Sequence, residues 1–110
     1  MAYDEQLADR IRGLLDARSD VDERNMFGGI AFLLAGNMCI GVNGEDVIAR
    51  LEPAAADELL GSEPGVRPMD FTGRPMRGWL FVAPEATAEA ADLERWVRRC
   101  EAFASSLPPK

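Results

Sequence analysis

Residues 24–42, R-N-M-F-G-G-I-A-F-L-L-A-G-N-M-C-I-G-V, hold two apolar runs with Gly36-Asn37 between them. Glycine next to asparagine suits a two-residue loop, because both tolerate the positive φ that a tight strand reversal needs. The stretch therefore predicts a β-hairpin, with residues 30–35 going out and residues 38–42 returning. Gly28-Gly29 in front lets the backbone turn without a Cβ clash. A lone hairpin is marginal in water, so the rest of the chain must add strands and a layer to cover the apolar face.

The flanking sequence supplies both. In the returning strand Met38, Ile40 and Val42 alternate with Cys39 and Gly41. Asn43-Gly44 is a second turn signal. Residues 46–51 then read as a third strand, with Val47, Ala49 and Leu51 on one side and Ile48 and Arg50 on the other. Residues 78–83, G-W-L-F-V-A, read as the last strand, with Trp79 and Phe81 opposite Leu80 and Val82, and Pro84 stops it. Residues 66–71 predict one more short strand, and residues 25–27 a short strand or irregular edge. A strand apolar on both sides demands cover on both sides, which predicts a partner or a second copy across the second face.

Three segments carry helical periodicity. Tyr3, Leu7, Ile11, Leu14 and Leu15 mark a first helix over residues 4–18, with Asp4 as its N-cap and the polar run 19–23 as its end. Pro53 and Gly61 bracket a short helix over residues 54–60. Leu93, Trp96, Val97, Cys100, Phe103, Ala104 and Leu107 make the strongest stripe, with Thr87 as its cap and Pro108-Pro109 as its stop. The order is α-β-β-β-α-β(-β)-α. It predicts an α+β fold of two layers, an antiparallel meander sheet of four to five strands with helices on one face. The 110 residues suit one domain spanning 1–110.

Charge and composition narrow the function. Twelve Lys and Arg stand against nineteen Asp and Glu, a net charge of −7, which repels nucleic-acid phosphates and disfavours direct DNA binding. Histidine is absent, which removes the commonest general base and the commonest metal ligand. Cys39 and Cys100 form no C-x-x-C pair and have no histidine to activate them. They predict free thiols in a reducing compartment. The first residues carry no secretory signal, and the longest apolar run is far too short to span a bilayer, so the expected location is cytoplasmic. Gly28-Gly29 fits neither a phosphate-binding P-loop nor a dinucleotide turn. No catalytic constellation, metal-ligand spacing or cofactor motif is present, and none is expected.

Five arginines stand beside strands or turns in this acidic chain: Arg24, Arg50, Arg67, Arg74 and Arg77. Guanidinium groups recognise carboxylates and phosphates, so these five are the candidate binding residues, for an acidic partner surface or an anionic ligand at one shared edge. The alternative is that each pairs locally with Asp or Glu. Met26, Met38, Met69 and Met76, with Phe27, Phe32, Phe71 and Trp79, flank the same elements. Methionine fills irregular cores and also lines adaptable binding surfaces.

The blocks Arg24-x-Met26-Phe27-Gly28-Gly29 and Gly73-Arg74-Pro75-Met76-x-Gly78-Trp79 carry a resemblance. With Phe32, Gly36-x-Met38, Gly41-Val42, Arg50, Pro68-Met69-x-Phe71, Trp96 and the Leu107-Pro108-Pro109-Lys110 ending, they resemble the N-terminal domain of the TfoX/Sxy competence regulators over nearly the whole chain. The resemblance implies a secretion-chaperone-like α+β fold. It also implies a link to natural transformation, in which full-length regulators act as coactivators with a cyclic-AMP receptor protein and carry a further C-terminal helical domain. It supplies no catalytic residues. The expected function is a non-enzymatic, regulatory protein-interaction domain, its partner a protein such as a transcription regulator, with homodimer formation. The alternative is a domain or enzyme that binds an anionic small molecule at an arginine-lined edge.

Overall fold

The computed structural model describes residues 3–26, 28–69 and 76–110. Helix α1 spans Glu5–Leu14, and the Asp4 carboxylate accepts hydrogen bonds from the amides of Gln6 and Leu7, the N-cap expected from sequence. The helix ends four residues short of the expected boundary. The polar residues after it do not form a passive linker, because Val21–Met26 is a full strand, β1. Its partner is β2, Gly29–Leu34, followed by β3, Asn37–Asn43, and β4, Asp46–Arg50. Helix α2, Pro53–Ser62, has Pro53 in its first turn and Glu52 as cap; Gly61 lies inside it rather than past its end. Strands β5, Val66–Pro68, and β6, Trp79–Val82, lead through a 3₁₀ turn at Pro84–Ala86 into α3, Ala90–Ser106. Thr87 does not cap α3, since Glu89 holds that position, and the Thr87 hydroxyl donates instead to the Pro84 carbonyl.

All six strands pair antiparallel in the order β1-β2-β3-β4-β6-β5. The sheet is thus an α+β meander of the expected kind with six strands in place of four to five. The additional strand is β1, whose polar sequence becomes extended by pairing with β2 from Val21↔Leu34 to Met26↔Gly29.

The β2–β3 hairpin reverses at Ala35 (φ +49°) and Gly36 (φ +86°), one residue earlier than the sequence predicts, with Asn37 already in β3. Two positive φ values in a two-residue loop match the right-handed twist of the strands it joins. The C-terminal tail fastens this turn: the Lys110 amide donates to the Ala35 carbonyl at 2.8 Å, and Asn37 Nδ2 donates to the Pro108 carbonyl at 2.9 Å. A bulge then interrupts the ladder, where Phe32 faces Ile40 but Leu33 faces Met38, leaving Cys39 as the extra residue. The strict alternation expected across β3 therefore fails. Cys39, Ile40 and Val42 all join the helix-side core, and Met38 alone turns to the other face.

The helix-side core holds Phe32, Ile40, Val42, Val47, Leu80 and Val82 from the sheet against Leu7 and Ile11 of α1, Ala56 of α2, and Leu93, Trp96, Val97 and Cys100 of α3. The opposite face is also buried. Ala31, Leu33, Met38 and Ile48 pack with Met69, which is 0% exposed, and Met26, Met76, Trp79 and Phe81 lie against them. Met69 and Met76 thus supply part of the cover that the two-sided β6 pattern demands, and Trp79 and Phe81 stay half-buried.

Candidate functional site

The face opposite the helices collects the chemically distinctive side chains. Strand register decides which they are. Arg24 pairs with Ala31, Ile48 with Phe81, Arg50 with Trp79 and Arg67 with Phe81, and directly opposed residues share a face. Ala31 and Ile48 belong to the second cluster, so Arg24, Arg67, Trp79 and Phe81 belong to that side, and Arg50 starts from it although its guanidinium also reaches Phe103 of α3. Met26, Met38, Met69 and Met76 complete it. Of the residues that carry the sequence motif, Phe27, Gly73, Arg74 and Pro75 lie outside the described residues, as does Phe71.

Three glycines of the motif are demanded by close backbone approach, among them Gly41, whose Cβ would lie 2.6 Å from the Ile30 carbonyl oxygen. A Cβ on Gly29 would sit 1.9 Å from the Val42 carbonyl oxygen, and one on Gly78 (φ +88°) 2.7 Å from that of Leu51. Gly28 and Gly36 serve through positive φ, +72° and +86°. The motif thus splits into backbone positions that let the sheet close and side chains that furnish its outer face.

The arginines do not share one edge. Arg24 is on β1 and Arg67 on β5, the two opposite borders of the sheet, about 24 Å apart at 4.8 Å per strand. Arg50 lies between them on β4. Its guanidinium donates to the Met38 carbonyl at 3.4 Å and stands 5.3 Å from the Trp79 ring centre and 5.6 Å from that of Phe103. It thereby ties β3, β4, β6 and α3 together, and cation–π contacts of this kind contribute about 0.5–2 kcal/mol. Arg67 stacks 5.1 Å from the Phe81 ring centre and holds Asp46 at 2.8 Å. Arg77 turns away from the face to Asp57 of α2 at 2.9 Å. Arg24 is exposed and makes no ion pair or hydrogen bond among the described residues.

Charge networks elsewhere brace the frame. Arg12 of α1 grips Glu23 of β1 in a two-pronged pair at 2.6 and 2.7 Å, and the contact holds the Glu23 carboxyl below its usual range. Arg18 links Asp20 to Glu101 of α3, and Arg10 donates to the Thr87 carbonyl at 2.9 Å. Apart from Arg18–Asp20, two residues apart, these pairs join residues that only the packed fold brings together, and no sequence spacing announces them.

Two features bear on chemistry. Among the described residues no group of three or more His, Cys, Asp or Glu is disposed to hold a metal. Cys39 and Cys100 are free and 0% exposed. Burial pushes the Cys100 thiol up to about 12 from an ordinary 9.0, and pushes Cys39 up further. A protonated thiol is a poor nucleophile. Neither cysteine should react with iodoacetamide at pH 8 in the native state, and both should react in denaturant, which mass spectrometry reads directly. The linkage has a definite sign. The unfolded chain loses its thiol protons first, so this contribution is intact below about pH 9 and is lost as pH rises through the folded values.

A groove of about 480 Å³ runs between α2 and α3, lined by Leu51, Ala55, Leu59, Arg99 and Phe103, with Glu52 and Glu58 at its rim. Arg99 stacks 4.8 Å from the Trp96 ring centre and reaches Glu63 at 3.5 Å, which commits it locally. No described helix is long and apolar enough to cross a membrane.

Three helices on one side of a six-stranded antiparallel sheet, and a methionine and aromatic surface on the other, define a two-layer α+β domain whose recognisable residues serve backbone closure and that second surface. The chain belongs to the TfoX N-terminal domain family, whose pattern it matches over residues 13–104. That family is associated with competence regulation and is a regulatory domain family, not one known for enzymes. No curated protein and no solved structure shows significant similarity to the chain.

Proposed function

We propose that this domain is a non-enzymatic regulatory module that binds another protein through the sheet face opposite its helices. One observation carries the reading: the partly buried Met26, Met76, Trp79 and Phe81 gather on that face over the buried Met38 and Met69, and Arg24 and Arg67 stand at its borders. Methionine and aromatic side chains supply adaptable apolar contact, and arginine at the rim selects an acidic counterpart. The half-buried Trp79 and Phe81, flanked by Arg50 and Arg67, are the anchors, Arg24 and Arg77 belong to the proposed binding set as peripheral charges, and Arg74, outside the described residues, belongs to the set by its sequence alone. The partner class is a protein, with a transcription regulator the member suggested by the family. The compartment is the cytoplasm.

The competing reading, an anionic small molecule held by converging arginines, has less support. Arg24 and Arg67 occupy opposite borders of the sheet and Arg77 turns to Asp57, so these arginines do not converge on one small anion.

Affinity capture with the wild-type domain, Arg67→Glu and Arg95→Glu tests the proposal. Arg67 and Asp46 form a surface pair worth about 0–1 kcal/mol, so the fold survives its loss. The expected result is a discrete partner lost with Arg67→Glu and kept with Arg95→Glu, whose site lies on α3 away from the face. Equal capture by all three would overturn the assignment of the face.

A further inference from the structure

The two borders of the sheet are built differently. Strand β5 has three residues, and Pro68 has no amide hydrogen to donate. Such an edge is blunted against pairing. Strand β1 has six residues, Val21–Met26, with neither proline nor glycine among them, and Asp22 to Asn25 are exposed along it.

Arg24 adds the second observation. The other described arginines each have a partner: Arg10 the Thr87 carbonyl, Arg12 Glu23, Arg18 Asp20, Arg50 the Met38 carbonyl, Arg67 Asp46, Arg77 Asp57, and Arg95, Arg98 and Arg99 acids of α3 or α2's end. Arg24 has none among the described residues. Asp22, two residues away and on the same side of the strand, has none either.

We propose that β1 pairs antiparallel with β1 of a second copy of this chain, across a twofold axis centred on Glu23, so that Asp22 of each copy faces Arg24 of the other. The register follows from geometry. A twofold axis perpendicular to a continuous sheet keeps every side chain on its own face, so facing residues have the same parity. Centring on Arg24 would oppose two arginines, and centring on Asp22 two aspartates. Centring on Glu23 gives two opposite-charge pairs, each contributing as a directly opposed cross-strand pair does. The two Glu23 carboxylates meet on the helix side, where each is already neutralised by its own Arg12. The assembly is one sheet of twelve strands, with both methionine and aromatic faces on the same side. This presents the surface assigned above in duplicate, although the pairing itself does not depend on that assignment.

A six-residue strand edge is a small interface, so the dimer is concentration-dependent. Sedimentation equilibrium of the purified chain over a series up to high micromolar concentration tests it, with no other protein present, so failure of the partner assignment cannot be mistaken for failure of the dimer. Wild type is expected to show a monomer–dimer equilibrium. Asp22→Arg and Arg24→Asp are each expected to weaken it about tenfold or more, since each sets like charges against one another. The double variant Asp22→Arg/Arg24→Asp restores the complementarity and is expected to restore the dimer. Both sites are exposed on the surface, and circular dichroism confirms folding of all three variants. Wild type that stays monomeric throughout the series overturns the proposal. So does a dimer unmoved by the single reversals, or one that the double variant fails to rescue.

Discussion

Gly29→Ala is expected to lower stability by about 3 kcal/mol or more, a drop in melting temperature of roughly 10–20 °C. The cause is a single methyl group. Its carbon would lie 1.9 Å from the Val42 carbonyl oxygen and 2.9 Å from the carbonyl carbon, and these are backbone atoms of β3 that no rotamer change moves aside. Relief requires β2 and β3 to separate at the point where the hairpin joins the sheet. Since whole domains are stable by only about 5–15 kcal/mol, the loss takes a large share of the total. Gly13 of α1 is the control: a Cβ there meets nothing within 4 Å, and Gly13→Ala should gain about 0.5–1 kcal/mol from helix propensity. Chemical denaturation of both variants reads the contrast.

Met69→Ala is expected to cost about 2–5 kcal/mol, the range for a fully buried long side chain. Met69 is 0% exposed and sits over Ile48, itself 0% exposed, on the face without helices. Its backbone is also committed, donating to the Trp79 carbonyl at 3.3 Å and accepting from the Met76 amide at 2.9 Å, so the position is fixed and the truncated site collapses poorly. Leu60→Ala, at a residue 37% exposed on α2, should change stability by less than about 0.5 kcal/mol. A small effect at Met69 would mean that this face is sealed by something other than its own chain.

The parts of this architecture that sequence discloses are those set by local periodicity. Leu93, Trp96, Val97, Cys100 and Ala104 recur at helical spacing and are all buried in α3. Trp79 and Phe81 alternate with Leu80 and Val82 as β6 requires. The parts it conceals are set by tertiary pairing. Asp-Glu-Arg-Asn has little strand propensity, so the sequence suggests only a short strand or irregular edge at residues 25–27, and β1 reaches back to Val21 because β2 offers it a ladder. The Cys39 bulge changes which side chains face the helices without any glycine or proline to announce it. The same division governs the candidate surface. Alternation within β4 sets Arg50 beside Ile48, but only the strand order, with β6 between β4 and β5, sends Arg67 to one border and Arg24 to the other. Five arginines near strand ends in sequence suggest one cluster, and of the four described the sheet sets Arg24 and Arg67 at opposite borders.

The most direct test of the account is site-specific photocrosslinking in the native cell, with the reactive side chain at position 67 on the methionine and aromatic face or at position 91 on the exposed surface of α3. The account predicts a discrete protein adduct from position 67, competed away by excess unlabelled domain, and none from position 91. A competed adduct formed only from position 91 would contradict it, because recognition would then belong to the helical layer.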